Sequence, residues 1–365
     1  MSHFTVLVIG DDVEAQLQPF HEFECSGIVD QYVQEIDRTD EARQEYDKDT
    51  TTCLRAADGS LHSFFDEKGE WRPEFSRPDP TAPSWDNHRR VRHAPEGFEQ
   101  IEAPTSLMQS FAEFVDGYYG WQPVPHGEAP DLDDRHKYGY ALLDESGNIQ
   151  KCVDRTNQNS KWDWWVIGGR WKGFLKLKLG ATGVSGEEGV MGSHFAKGTD
   201  RADQARKGDI DFDGMRNQAG EKSGAYWDKA NAITGGESWE SWDSVRDRIC
   251  GAGDGFNRER IDEAREFYQG QRSVAALKAG DPDAFGWSLD DALAGTRDNY
   301  VQASRDQACT TFAVIKDGQW FEKGSMGWWG MVSGETDQAE WNRQFNELID
   351  GLPDDTLLTV VDCHI

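Results

Sequence analysis

Near the start of the chain, "HFTVLVIG" (3–10) alternates and is rich in β-branched residues, which predicts a strand; "DTLLTVVDCHI" (355–365) has the same character. Between them, "GYALLDESGNIQKCV" (139–153) predicts a hairpin turning at Ser146-Gly147, and "TFAVIKDGQWFEKG" (311–324) one with Asp317-Gly318 as a type I′ turn. "KWDWWVIGGRWKG" (161–173) predicts a third, turning at Gly168-Gly169. Apolar spacing near 3.6 predicts helices over 28–47, 106–119, 237–249, 258–278, 289–304 and 337–349. The last ends in "GLPDD", a glycine cap and a proline stop, and sets Trp341, Phe345, Leu348 and Ile349 on one face. Nine of the twelve prolines fall in 66–104 and 121–136, so these stretches are expected to be loops or arms. The expected fold is α+β: an antiparallel sheet formed by both chain termini and the central hairpins, interrupted by helices. The expected domains are 1–179 together with 305–365 as the core and 180–304 as a mainly helical insertion.

The tryptophan-rich stretch raises the main functional question. As a strand, 162–167 sends Trp162, Trp164 and Val166 one way and Asp163, Trp165 and Ile167 the other. Beyond the turn, Arg170, Lys172, Phe174, Lys176 and Lys178 share one face, opposite Trp171, Gly173, Leu175, Leu177 and Leu179. Two readings stay open: a solvated face paired with carboxylates, or an anion-binding face beside rings that stack on a planar group. "GSMGWWGMVSG" (324–334) repeats the theme, with Trp328-Trp329 between glycines, either as core or as a second wall of one pocket. On the ligand reading, Trp164, Trp165, Arg170, Lys172, Trp328 and Trp329 hold a planar, anionic, nucleotide-like small molecule.

Charge narrows the partners. Asp plus Glu number 67 against 38 Lys plus Arg, a formal net charge of -29, which disfavours direct nucleic-acid binding and anionic membranes. The start lacks a basic n-region and no apolar stretch reaches about 18 residues, so a cytoplasmic protein is expected. Cys25, Cys53, Cys152, Cys250, Cys309 and Cys363 include no C-x-x-C pair, which argues for reduced thiols rather than a zinc knuckle or dithiol site.

Candidate metal and acid–base residues form three groups. Asp209, Asp211 and Asp213 with Gly214 match the opening of a calcium loop, but position 12 is Gly220 and the acid, Glu221, comes one later, so a solvated acidic loop is the alternative. His3 on the first strand and Asp362, Cys363 and His364 on the last come together if those strands are neighbours. His3 and His364 are therefore the catalytic candidates, as acid–base groups or as ligands of zinc, manganese or iron. His21 with Glu22 and Glu24 is a further group, with an exposed loop as the alternative. Across these groups the candidate cofactor is a divalent metal: Mg, Mn, Ca or Zn. No G-x-S-x-G elbow, P-loop or G-x-G-x-x-G fingerprint occurs, which disfavours hydrolase-elbow, NTPase and dinucleotide folds.

"MSHFTV", "KWDWW" with "IGGRW", "DQARKGDID" (203–211), "GWWGMVS" (327–333) and "LPDDTLLTVVDCHI" resemble a family of proteins encoded by bacteriophages and some bacteria, one without an assigned activity. The resemblance covers nearly the whole chain in blocks and implies a phage origin and a role inside the host during infection. Two functions of different class follow as expectations. The first is a small-molecule site, possessing metal or histidine chemistry if it is an enzyme. The second is an acidic interaction protein that inhibits a basic host protein or mimics nucleic acid.

Overall fold

A computed structural model describes residues 2–66, 68–82, 86, 88–195, 198, 200–251, 258–280, 290, 295–326 and 331–365. Trp328 and Trp329 lie outside the described residues. The fold is α+β, and the chain divides into two compact units, one of 1–19 with 161–365 and one of 20–160. No helix among the described residues is long and apolar enough to cross a membrane.

In the first unit the strands from the two ends of the sequence are neighbours. His3–Ile9 runs antiparallel to Leu357–His364, with His3 opposite His364 and Ile9 opposite Leu358. Two further strands, Trp164–Gly169 and Gln204–Arg206, pair antiparallel with Leu357–His364 on its other side. Ala313–Lys316 joins His3–Ile9 in parallel and returns as Gln319–Glu322, so the sheet is mixed rather than wholly antiparallel. The return is the predicted type I′ turn, with φ of 52° at Asp317 and 72° at Gly318.

Strand alternation decides what the sheet buries. Leu7, Ile9, Val314, Leu358 and Val360 form one face and pack with Trp341, Phe345 and Ile349 of the helix Gln338–Asp350. Asp337 starts that helix by accepting the backbone N–H groups of Ala339 and Glu340. The opposite face buries Phe4, Val6, Val8, Val361 and Cys363. Each fully buried aliphatic side chain contributes about 1.5–3 kcal/mol, so the two central strands are the best-anchored part of this unit.

Two expectations are corrected here. The Gly168-Gly169 pair does not close a hairpin: Leu175–Lys176 pairs with Arg201–Ala202 instead. The basic stripe is thereby dispersed, since Lys176 meets Asp211, Lys178 Nζ donates to the Gly208 carbonyl, and Phe174 is buried. The cause is a pair of buried carboxylates, Asp362 and Asp203, which draw in the backbone N–H groups of Arg170, Gly173 and Gly186. The second correction is a 23-residue helix, Phe212–Thr234, that begins inside the calcium-like pattern. Its glycines conceal it in the sequence, yet they serve the packing. A Cβ at Gly220 would come within 2.9 Å of Arg305 Cγ, and one at Gly224 within 2.8 Å of Arg297 Nη2, on the crossing helix Arg297–Gln307. The other predicted helices appear as Trp242–Cys250, Arg258–Gly270, Arg272–Gly280 and Arg297–Gln307.

The second unit contains a four-stranded sheet in the order Gln34–Asp37, Ile149–Thr156, Gly139–Leu143, Pro123–Val124. The 139–153 hairpin is present, whereas the helix expected over 28–47 is a strand followed by the shorter helix Thr39–Lys48. Pairing of Gln34–Asp37 with Ile149–Thr156 overrides the local helical pattern, and Asp37 then turns the chain by accepting Thr39 N–H and Oγ1–H. The helix Phe111–Tyr119 carries a reciprocal cap between Ser110 and Glu113. The proline-rich arm is also more ordered than expected: Phe98–Pro104 pairs with Thr50–Ala56 along its whole length, and Ser76–Pro78 pairs with Arg90–Arg92.

Candidate functional site

The register of the first unit puts His3 and His364 on the same rung, and strand alternation puts both on the helix-packed face. This polar row continues the face that buries Leu7 and Val360 further along. Backbone bonds between Ser2 and Ile365 extend the ladder one rung further, so neither histidine sits on a fraying end. The ring centroids are 4.9 Å apart at 76°. His3 Nδ1 donates to Asp362 at 2.8 Å, and His364 Nδ1 donates to Asp163 at 2.6 Å. Each carboxylate fixes its ring and favours the Nδ1–H tautomer, leaving the Nε2 lone pair outside these bonds. Among the described residues neither Nε2 has a hydrogen-bond partner, and the side chains keep 17% and 13% of their exposure.

Asp362 holds more than the ring. It is 1% exposed, and its second oxygen accepts the Arg170 N–H at 2.8 Å. The carboxylate lies so close under Gly169 that a Cβ there would stand 2.2 Å from Oδ2, and Gly169 has a φ of 56°. This accounts for the Gly-Gly pair: the loop must pass over a buried carboxylate with a left-handed backbone. Asp203 does the same further along, accepting Gly173 N–H at 2.5 Å and Gly186 N–H at 2.7 Å. Its burial raises the carboxyl above the usual range, against the pull of these N–H groups.

The tryptophans separate into different roles. Trp162 is buried with Nε1 donating to the Leu17 carbonyl, and Trp165 packs against it edge-on at 6.4 Å. A bend at Asp163 breaks the alternation expected for 162–167, so Asp163 reaches His364 while Trp164 lies 6.1 Å from the His3 ring. Trp164 is 48% exposed and offers an open ring surface beside the histidines. Among the described residues, Arg170 and Lys172 form no ion pair. The structure thus brings together His3, His364, Trp164 and the Arg170 backbone; Trp165 belongs with Trp162.

The other candidates are placed elsewhere. Asp211 caps Phe212–Thr234 through Gly214 N–H and is bound by Lys176 at 2.7 Å, which lowers its carboxyl below the usual range. Asp213 is exposed on the first helical turn and Asp209 lies in the preceding 3-10 turn, so the three carboxylates do not converge within coordinating distance. Cys363 faces away from His364 and is fully buried, which pushes its thiol well above the usual range. All six cysteines are free. His21 is not on an exposed loop: it is fully buried, bonded to Ser26 Oγ at 2.7 Å and 3.3 Å from Asp30. Of the two carboxylates bonded to these histidines, Asp362 was named in the sequence beside His364, whereas Asp163 was not. The pairing of the first and last strands is the signal that finds Asp362, whereas Asp163 depends on a bend that no pattern announces. No family model, no curated protein and no solved structure matches the chain.

Proposed function

We propose that the first unit carries a two-histidine acid–base site for a nucleotide-like phosphodiester. The observation that carries this reading is the rung His3–His364, in which each Nδ1 is bound to its own carboxylate and, among the described residues, each Nε2 has no hydrogen-bond partner. One neutral imidazole accepts the proton of an attacking hydroxyl or water as its oxygen bonds to phosphorus. The second, as imidazolium, gives a proton to the departing oxygen as the old P–O bond breaks. Trp164 stacks on the base, and Arg170, whose backbone N–H is bonded to Asp362, supplies a cation for the phosphate charge. The chemistry requires no group beyond the chain, although two free Nε2 atoms also suit a divalent ion completed by water and substrate.

The test is turnover of linear and 2′,3′-cyclic phosphodiesters by the full chain, with and without EDTA. A bell-shaped pH profile is expected, and His3→Asn or His364→Asn lowers kcat by about 10²–10⁴-fold while keeping a side chain that can hydrogen-bond to the carboxylate. Wild-type protein that turns over none of these diesters, and whose melting temperature none of them shifts, overturns the reading.

A further inference from the structure

The second unit contains a separate cavity of about 430 Å³, lined by Glu24, Arg38, Glu41, Tyr119, Trp121, Tyr138 and Asp154. Its aromatic wall is built rather than incidental. Tyr119 and Trp121 stack at 4.3 Å with planes 10° apart. The Trp121 ring lies across Gly139, where a Cβ would stand 2.4 Å from its Cδ1 and Nε1, so only glycine permits this pose. Trp121 is 7% exposed, so its ring is a fixed part of the wall.

The polar wall is anionic. Asp154 lies on Ile149–Thr156, on the same face as the core residue Cys152, and its burial raises its carboxyl above the usual range, with Glu24 and Glu41 adding to that effect. Among the described residues Arg38 is the one cation lining the cavity; it bonds Glu41 at 2.8 Å and stands 3.6 Å from Asp154. Glu24 forms no ion pair among the described residues. Three carboxylates against one guanidinium leave the cavity short of positive charge. Lys137 Nζ, which does not line the cavity, rests 5.4 Å from the Tyr138 ring centre, so that ring already attracts a cation.

We infer that this cavity binds an organic cation, a guanidinium or alkylammonium group whose flat or methylated surface lies against Tyr119, Trp121 and Tyr138 while Glu24 and Asp154 balance its charge. Ring faces attract such cations, and the attraction grows where water is partly excluded. The source is either a free small molecule or an arginine or lysine side chain of a basic peptide.

Isothermal titration of the full chain with arginine amide, tetramethylammonium, spermidine and an arginine-bearing peptide tests this, with sodium chloride at matched ionic strength as the control. Saturable binding of at least one organic cation is expected. Glu24→Gln, an exposed substitution that leaves the fold intact, weakens it roughly fivefold, and Tyr138→Ala weakens it by a similar factor. Tighter binding of the peptide than of arginine amide assigns a protein tail; equal binding assigns a free ligand. Absence of saturable binding, or binding that both variants leave unchanged, overturns the inference.

Discussion

Asp362→Ala is expected to cost about 3 kcal/mol, because it strips the acceptor from the His3 ring and from the Arg170 N–H in a place water does not reach. Thermal unfolding of the first unit then moves down by roughly 6–12 °C, given the slope usual for a unit of this size. Asp362→Asn separates support from chemistry. The amide keeps the shape, but it can donate to His3 Nδ1 and so favour the Nε2–H tautomer, which removes the lone pair that a general base needs. Stability is expected to fall less than in the alanine variant, while turnover of a phosphodiester falls about as far, by roughly 10²–10⁴-fold. Equal stability loss with turnover retained by the asparagine variant sinks the assignment of His3 as a proton-transfer group.

Gly169→Ala is the second large effect, with Gly318→Ala as its natural control. Both glycines have positive φ, 56° and 72°, so both substitutions carry the left-handed penalty of about 1–2 kcal/mol. They differ in what the new methyl group meets. At Gly318 nothing lies within 4 Å, whereas at Gly169 the methyl falls 2.4 Å from the Asp362 Cβ and 2.2 Å from Oδ2. Urea unfolding is therefore expected to show Gly169→Ala at least twice as damaging, with the Asp362–His3 bond displaced. Matching losses at the two positions would mean that the loop lifts away from the carboxylate at no cost.

Much of the frame was legible in the sequence where two signals agreed. The strand at 3–10, the strand at 355–365 and the Asp317-Gly318 turn each combine alternation with β-branched residues or a turn dipeptide, and each is present. The meeting of His3 and His364 was an expectation only if those two strands were neighbours, and it is their antiparallel pairing that puts both rings on one row. Legibility failed where tertiary contacts set the local geometry. No helix was placed over Phe212–Thr234, whose Gly214, Gly220 and Gly224 weaken the helical pattern, and two of those glycines are explained only by the helix that crosses them. The turns after Gly169 depend on Asp203, which accepts the Gly173 N–H from 30 positions away, and nothing in the local pattern advertises that buried carboxylate. The cavity around Trp121 was equally hidden, since Glu24, Tyr119 and Asp154 come from three separate elements.

The His3–Asp362 bond spans 359 positions of chain. The sheet of the first unit cannot close around its central pair until residues 357–364 have left the ribosome, so the histidine site comes into being only as synthesis of that strand is completed. Contacts this distant in sequence slow folding, because the loop between them must be ordered before the pairing repays it. A nascent chain that stalls before residue 357 would expose the apolar edge of His3–Ile9, and holding that edge covered is a task for chaperones during translation.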